Sequence, residues 1–346
     1  MSDIDFVVLW VDSDDRCWQD DFIRYKSIYS DTYKLAVTPS RFRDMGLFKY
    51  WFRAVENYAP WVRKVHLVTC GQVPSWLDKS YHKINLVRHS DIIDKEYLPT
   101  FNSRAIEVNI HKIKGLSDQF VYFNDDMLLN SPITPEFYFK KNLPNDFLIE
   151  NDINPISIDN NISNLMLTTN ASVINTFFNR RESIKKNITK YYNLQYGRYI
   201  KKNISKKKAR NFTGFFGRHL PQPFLKSTFE EVWSHDEIRD ILVRTSKSRF
   251  RDGYNLNQYI FRYWHLASGK FNPCNPKRLG SHFNLTGDRQ QLDHAIQALK
   301  SDVPQICLND DLEDNTLFEF ACQKVSDTLR CKLGKRQSLR LRCKLI

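Results

Sequence analysis

The residues of clearest chemical meaning are Asn124, Asp125 and Asp126, in the stretch QFVYFNDDMLLN (119–130). An apolar run, Phe120 to Phe123, stops at an amide and two adjacent acids, after which apolar residues resume. Neighbouring carboxylates repel each other and favour water, so their place after a buried strand needs a reason. A plain turn would use the same residue types. The alternative is an oxygen-ligand site in which Asp125 and Asp126 hold Mg²⁺ or Mn²⁺ across a diphosphate, an arrangement common among nucleotide-sugar enzymes. The chain has no GxGxxG or GxxxxGK[ST], so neither a dinucleotide fingerprint nor a Walker loop competes with that reading.

Positioning such a cluster is the task of the surrounding elements. Runs at 5–11, 62–69, 84–88 and 119–123 read as strands, and helical spacing at 45–58 and 102–113 separates them. This β-α-β order predicts an α/β fold with a mostly parallel, Rossmann-like sheet. Ligands collect at the carboxyl ends of strands in such sheets. Three strand ends carry polar residues here: Asp12 and Asp14, Thr69 and Gly71, and Asn124. All five are donor-binding candidates beside the acid pair.

Composition sets the outer limits. The 346 residues, 41% hydrophobic, suffice for one large α/β domain with an added helical part. The expected division is a nucleotide-sugar-binding core over 1–150, a mainly helical acceptor region over 151–250, a part completing the site over 251–325, and a basic amphipathic tail over 326–346. Within the second region, 151–170 reads as loop or short strand, 171–192 as a helix, and PFLKSTFEEVW and HDEIRDILVRT as helices. Seven scattered Cys without a CxxC pair argue against a disulfide framework or a zinc site. No run of about 18 apolar residues and no signal-peptide pattern occur, so a cytoplasmic protein is expected. The formal charge of +13 suits nucleic acid, an anionic membrane surface or phosphorylated substrates. Its concentrations are 180–210 and the tail, where Leu329, Leu333, Leu339, Leu341, Leu345 and Ile346 alternate with cations. That alternation favours attachment of the tail to an anionic membrane surface. No nucleic-acid-binding module is recognisable, which sets that partner aside.

Other polar residues admit two readings. Arg43 in RFRD could pair with Asp44, cap the next helix, or contact ligand. Asn102 and Ser103 could contact the donor or cap the helix that they open, and the Ser103 to Glu107 spacing is one residue too long for a capping box. Asn255 and Asn257 precede a helix, where phosphate is favoured. Asn309 and Asp310 follow a short apolar run and fit a turn equally well.

The chain also resembles the Stealth family of sugar-phosphate transferases. DFVVLWVDSDD is similar to its first signature block, with Ser13 where the pattern has Gly. RFRDMGLFKYWFRAVENYAPWVRKVHLVTCGQVPSWL and LPTFNSRAIEVNIHKIKGLSDQFVYFNDDM resemble the second. RHLP with RFRDGYNLNQYIFRYW resembles the third, and ICLNDD the fourth.

That resemblance implies a glycosyltransferase A-like sheet, a UDP-sugar donor such as UDP-GlcNAc or another UDP-hexose, and an acceptor oligosaccharide or polysaccharide. It implies a bacterial enzyme of capsule or surface-polysaccharide synthesis on the inner face of the plasma membrane. The acceptor hydroxyl would attack the β-phosphorus, with UMP leaving and the sugar C1–O bond intact. Such a transfer needs charge neutralisation on the phosphoryl oxygens and a base. Arg251 suits the first role, since guanidinium binds two phosphate oxygens at once. His219 suits the second, because its ordinary pKa lies near neutrality. The resemblance places both at the family's functional His and Arg; Asp126 is the third catalytic candidate. Two other classes compete: a metal-dependent glycosyltransferase releasing UDP, and a non-catalytic basic nucleic-acid-binding protein.

Overall fold

A computed structural model describes residues 3–29, 32–154 and 162–334. The chain begins with β1 (Ile4–Leu9), whose six residues are all buried. Helix α1 (Arg16–Ile28) starts where the Asp15 carboxylate accepts from the Trp18 amide, the usual way of satisfying an orphan N–H. Helix α2 (Phe48–Tyr58) buries Phe48, Trp51 and Val55 on one face. Then come β2 (Val65–Thr69), β3 (Ile84–Arg88), the short helices α3 (His89–Ile92) and α4 (Ser103–Glu107), β4 (Gln119–Phe123) and β5 (Met127–Leu129). Strands β6 (Phe139–Lys140) and β7 (Leu143–Asp146) lead to α5 (Ile162–Phe177), α6 (Arg180–Lys186), α7 (Ile188–Tyr191) and α8 (Ile200–Ser205). After β8 (Gln222–Leu225) run α9 (Lys226–Ser234), α10 (Asp236–Lys247), α11 (Tyr259–Ser268) and β9 (Asn272–Pro273). The described chain ends with β10 (Ser281–Leu285), α12 (Arg289–Lys300), β11 (Gln305–Asp310) and α13 (Asn315–Leu333).

The central sheet has the order β3-β2-β1-β4-β8. Its first four strands are parallel and β8 is antiparallel to β4, so the α/β, mostly parallel expectation holds. Both faces are covered. Phe6 and Val8 of β1 with Val121 and Phe123 of β4 point into one core, which α2, α12 and α13 close. Val7 and Leu9 with Phe120 and Tyr122 point into the other, under α9, α10 and α11. The period of two along each strand therefore divides one apolar run between two cores.

Local predictions need three corrections. The helix expected over 102–113 is α4 followed by a 3₁₀ turn at Ile110–Lys112. Asn109 turns its amide back onto the Ala105 carbonyl and across to Ser246, which competes with continuing the helix. The helix expected over 171–192 starts earlier, at Ile162, and is broken at Asn179, which caps α6 through the Glu182 amide. In PFLKSTFEEVW the first residues form β8, and Pro223 fits there because β8 is an edge strand of the central sheet. At the C-terminus Leu329 and Leu333 are buried in the first core, not presented to a membrane; Leu339, Leu341, Leu345 and Ile346 lie outside the described residues. Among the described residues no helix is long and apolar enough to cross a membrane.

Candidate active site

A cleft of about 680 Å³ opens at the carboxyl ends of β1 and β4. Its floor is the Asn124-Asp125-Asp126 turn. There the chain leaves the central sheet for the small sheet β10-β11-β5, closed by a hydrogen bond from the Met127 amide to the Asn124 carbonyl (3.2 Å). The acids therefore form a turn and line the cleft together. Antiparallel pairing sets Cys307 of β11 opposite Met127. The Cys307 thiol donates to Asp126 Oδ2 (3.3 Å), and the Leu308 amide donates to the Asp126 carbonyl (2.9 Å).

The register of β8 delivers the histidine. Gln222 pairs with Tyr122 in an antiparallel direction, so the residues just before β8 run past the end of β4. His219 Nε2 lies 3.6 Å from Asp126 Oδ2 and 3.4 Å from the Asn124 amide. Tyr122 fixes Asn124 by donating its hydroxyl to Oδ1 (2.7 Å). Burial opposes the His219 charge, yet the Asp126 carboxylate outweighs it and raises the imidazole pKa above its ordinary value. Asp126 is likewise penalised by burial but is held below the usual carboxylate value by His219 and then Cys307. Among the described residues Asp125 has no such partner. Burial, with Asp126 and Asp44 close by, pushes it up to about 8.

Arg251 reaches the same cleft from the loop before α11 and donates to Ser103 Oγ (2.9 Å). Burial lowers its pKa, while Glu107, Tyr122, Asp125 and Asp126 act in the opposite direction. The loop is strapped to the residues ahead of α4. The Asn102 amide donates to the carbonyls of Ser248 and Phe250 and to Asn255 Oδ1 (2.9 Å), while Asn102 Oδ1 caps α4. Arg104 adds a bond to the Asp252 carbonyl (2.6 Å). Asn102 and Asn255 are both buried with their side chains engaged in the fold, and Asn102 also lines the cleft. Ser103 also donates to Glu107, whose other oxygen accepts from the Gln258 amide.

Of the remaining sequence candidates, Asn257 and Asn309 line the cleft. Arg43 lines it too, but its guanidinium is engaged with Asp310 and the Leu312 carbonyl and lies 3.8 Å from the Phe318 ring centroid. Arg43 and Asp310 thus tie the cleft wall to α13, and Asp44 bonds instead to Trp10 and the Gly46 amide. Asp12, Asp14, Thr69 and Gly71 are not among the lining residues. Gln72 exchanges two hydrogen bonds with the Asp12 backbone, Asp12 accepts from the Asp14 amide, and Thr69 bonds Gln72 and Gly71. They stitch the β1 and β2 ends together. Residues the sequence reading did not single out also line the site: Arg41, Asp44, Arg104 and His282. Arg104 is lowered to about 9 by burial and then by Arg251, so cationic groups crowd one another where an anion would relieve them. Asp44 and Arg41 stand in RFRD, Arg104 in LPTFNSRAIEV and Cys307 in ICLNDD, so motif position was a usable signal for those four; His282 had none.

The donor set can be tested for a cation. Among the described residues, Asp126, His219 and Cys307 place one ligand atom each within 4.8 Å of one another. Burial and Asp126 hold the Cys307 thiol well above its ordinary pKa, and the thiol donates its hydrogen bond to Asp126 Oδ2. Asp126 Oδ1 is buried without a hydrogen-bond partner, and Asp125 retains a proton that a cation would displace. Asp125 and Asp126 thus fit a hard divalent ion bound through oxygen.

Comparison with known proteins accords with this geometry. Residues 41–147 match the model of Stealth protein conserved region 2. The chain is 37% identical to the capsular polysaccharide phosphotransferase WcwK of Streptococcus pneumoniae, over 90% of each chain. It is 38% identical to the exopolysaccharide phosphotransferase cps2G of Lactiplantibacillus plantarum, over 96% of this chain and 95% of that one. A solved galactosyltransferase, LgtC in complex with donor and acceptor sugar analogues, aligns over 94% and 95% at 10% identity with a TM-score of 0.38, too distant to carry an argument. The chain belongs to the Stealth family, beside transferases that build capsular and extracellular polysaccharides.

Proposed function

We propose that the cleft transfers a hexose-1-phosphate or N-acetylhexosamine-1-phosphate from a UDP-sugar to a hydroxyl of an acceptor glycan, forming a phosphodiester and releasing UMP. The observation that carries this reading is the convergence of a carboxylate-paired histidine, an acid pair and a guanidinium in one cleft. The acceptor oxygen attacks the β-phosphorus, the bond from that phosphorus to the UMP oxygen breaks, and the C1–O bond survives, so anomeric configuration is retained. His219 takes the acceptor proton, and Asp126 stabilises the imidazolium formed. Arg251 faces the phosphoryl oxygens, where fixed cationic donors lower the barrier. A Mg²⁺ or Mn²⁺ ion on Asp125 and Asp126 would neutralise diphosphate charge. The reaction is assigned to the cytoplasmic face of the membrane, where nucleotide sugars are made.

The test is incubation with candidate UDP-sugars and an acceptor glycan, then identification of the nucleotide released and a ³¹P spectrum of the product. UMP with a phosphodiester resonance is expected. UDP without that resonance would make the protein a glycosyltransferase.

A further inference from the structure

Most of the chain's net charge sits on one excursion. Residues 180–210 contain twelve Lys and Arg against the single acid Glu182, a balance of +11 out of +13. The same excursion exposes three large aliphatic side chains: Ile188 at 55%, Leu194 at 88% and Ile204 at 54%. Apolar residues this open normally turn inward, and isolated ones mean little. Here each pair of neighbours follows a spacing. Exposed Lys185 precedes Ile188 by three residues, Lys201 precedes Ile204 by three, and Lys208 follows it by four. Lys201 and Ile204 lie in one helix, α8, and so share a face, whereas Lys185 and Ile188 stand on either side of the break at Asn187 between α6 and α7, and Lys208 lies past the end of α8.

The excursion is preformed. The buried Asn203 side chain donates to the carbonyls of Leu148 and Tyr191 and accepts from the Glu150 amide. Glu150 in turn holds Arg180 in a buried ion pair. It also adjoins the cleft: Tyr199 stacks on Phe216, with ring centroids 5.1 Å apart, and Phe216 lines the cleft.

We propose that the 180–210 excursion is the surface by which the protein docks on an anionic lipid bilayer, with the cleft mouth held beside the membrane. Aliphatic side chains ringed by cations are rewarded twice at such a surface, by insertion among acyl chains and by attraction to headgroups. A single-stranded nucleic acid would use the cations but reward aromatic stacking over exposed Ile and Leu. These residues are distinct in sequence from the C-terminal tail.

The test is flotation of the full chain with vesicles of phosphatidylglycerol and phosphatidylcholine, against phosphatidylcholine alone. The protein should float with the anionic vesicles only, and salt raised from about 0.05 to about 0.5 M should weaken that binding. Joint replacement Ile188→Ser, Leu194→Ser and Ile204→Ser should reduce partitioning roughly tenfold or more. Lys185→Glu, Lys201→Glu and Lys208→Glu together should do the same. All six positions are exposed, so unchanged thermal melting would separate lost docking from lost folding. Turnover on a soluble acceptor should persist in both variants. The proposal is overturned if the native chain ignores anionic vesicles, if the serine variant binds them as well as the native chain, or if only removal of 335–346 abolishes binding. Tight binding of RNA in preference to vesicles would overturn it too.

Discussion

Asp125 is a half-buried acid beside two others, and its pKa of about 8 against an ordinary 3.8 fixes the sign of a stability effect. Between those values the folded state holds a proton that the unfolded chain has released, so stability falls as pH rises. The melting temperature of metal-free protein should therefore drop between about pH 5 and about pH 8, and Mg²⁺ or Mn²⁺ should raise it more at the upper end. A pH profile unchanged in Asp125→Asn would show that another group is responsible. Chelation should abolish transfer and either ion should restore it. His219 and Arg251 should fail differently. His219→Ala should lower kcat by roughly 10²-fold or more with donor KM nearly unchanged. Because Asp126 raises the His219 pKa above 6.5, the acid limb of the native rate profile should lie above that pH. Arg251→Lys keeps charge but loses the bidentate fork, so kcat should fall and donor KM rise together. Near-normal turnover by His219→Ala would move the base to a carboxylate.

At the scale of elements, the cleft depends on loops tied to each other more than on any one helix. Asn102 holds the Arg251 loop through three donated bonds and caps α4 with its oxygen. Asn102→Ala should cost about 2–4 kcal/mol in urea unfolding, the cost of stranding several buried groups. It should also raise donor KM, because Arg251 loses its support. Arg43→Ala is expected to behave otherwise. It breaks a largely buried ion pair with Asp310, so about 2–4 kcal/mol of stability should be lost with donor KM little changed. A large KM effect without destabilisation would return Arg43 to the substrate. The β8 register has the same logic: His219 reaches Asp126 because an edge strand from the helical region pairs with β4.

For the whole molecule, the C-terminal helix belongs to the fold. Leu329 and Leu333 pack in the core shared with α2 and α12, and Lys332 caps the carbonyls of Leu299 and Ser301. Truncation after Gly334 gives the reference chain, which keeps Leu333. Truncation after Leu329 removes the buried Leu333 and should cost about 2–4 kcal/mol. Equal melting of the two truncated chains would mean that this last turn contributes nothing.

The strand periods, the β-α-β order and the polar strand ends were legible in the sequence because they follow from local chemistry, which a side chain carries wherever it lies. The acid pair stood out for the same reason: two carboxylates after four buried apolar residues are costly without a use. Division of labour among the polar residues was not legible. Asn102, Asn255, Arg43 and Thr69 have the same donors and acceptors whether they meet a substrate or another loop. Only contacts between residues distant in the chain, such as Arg43 with Asp310, 267 positions apart, decide which. Cys307 and His282 likewise acquire their place beside Asp126 from strand pairing across the second sheet. The alternation of Leu with cations in the tail was misleading at Leu329 and Leu333, since an amphipathic helix reads alike whether its apolar face meets lipid or a protein core. Which of those it meets is settled by the neighbour, and the neighbour is a property of the tertiary structure.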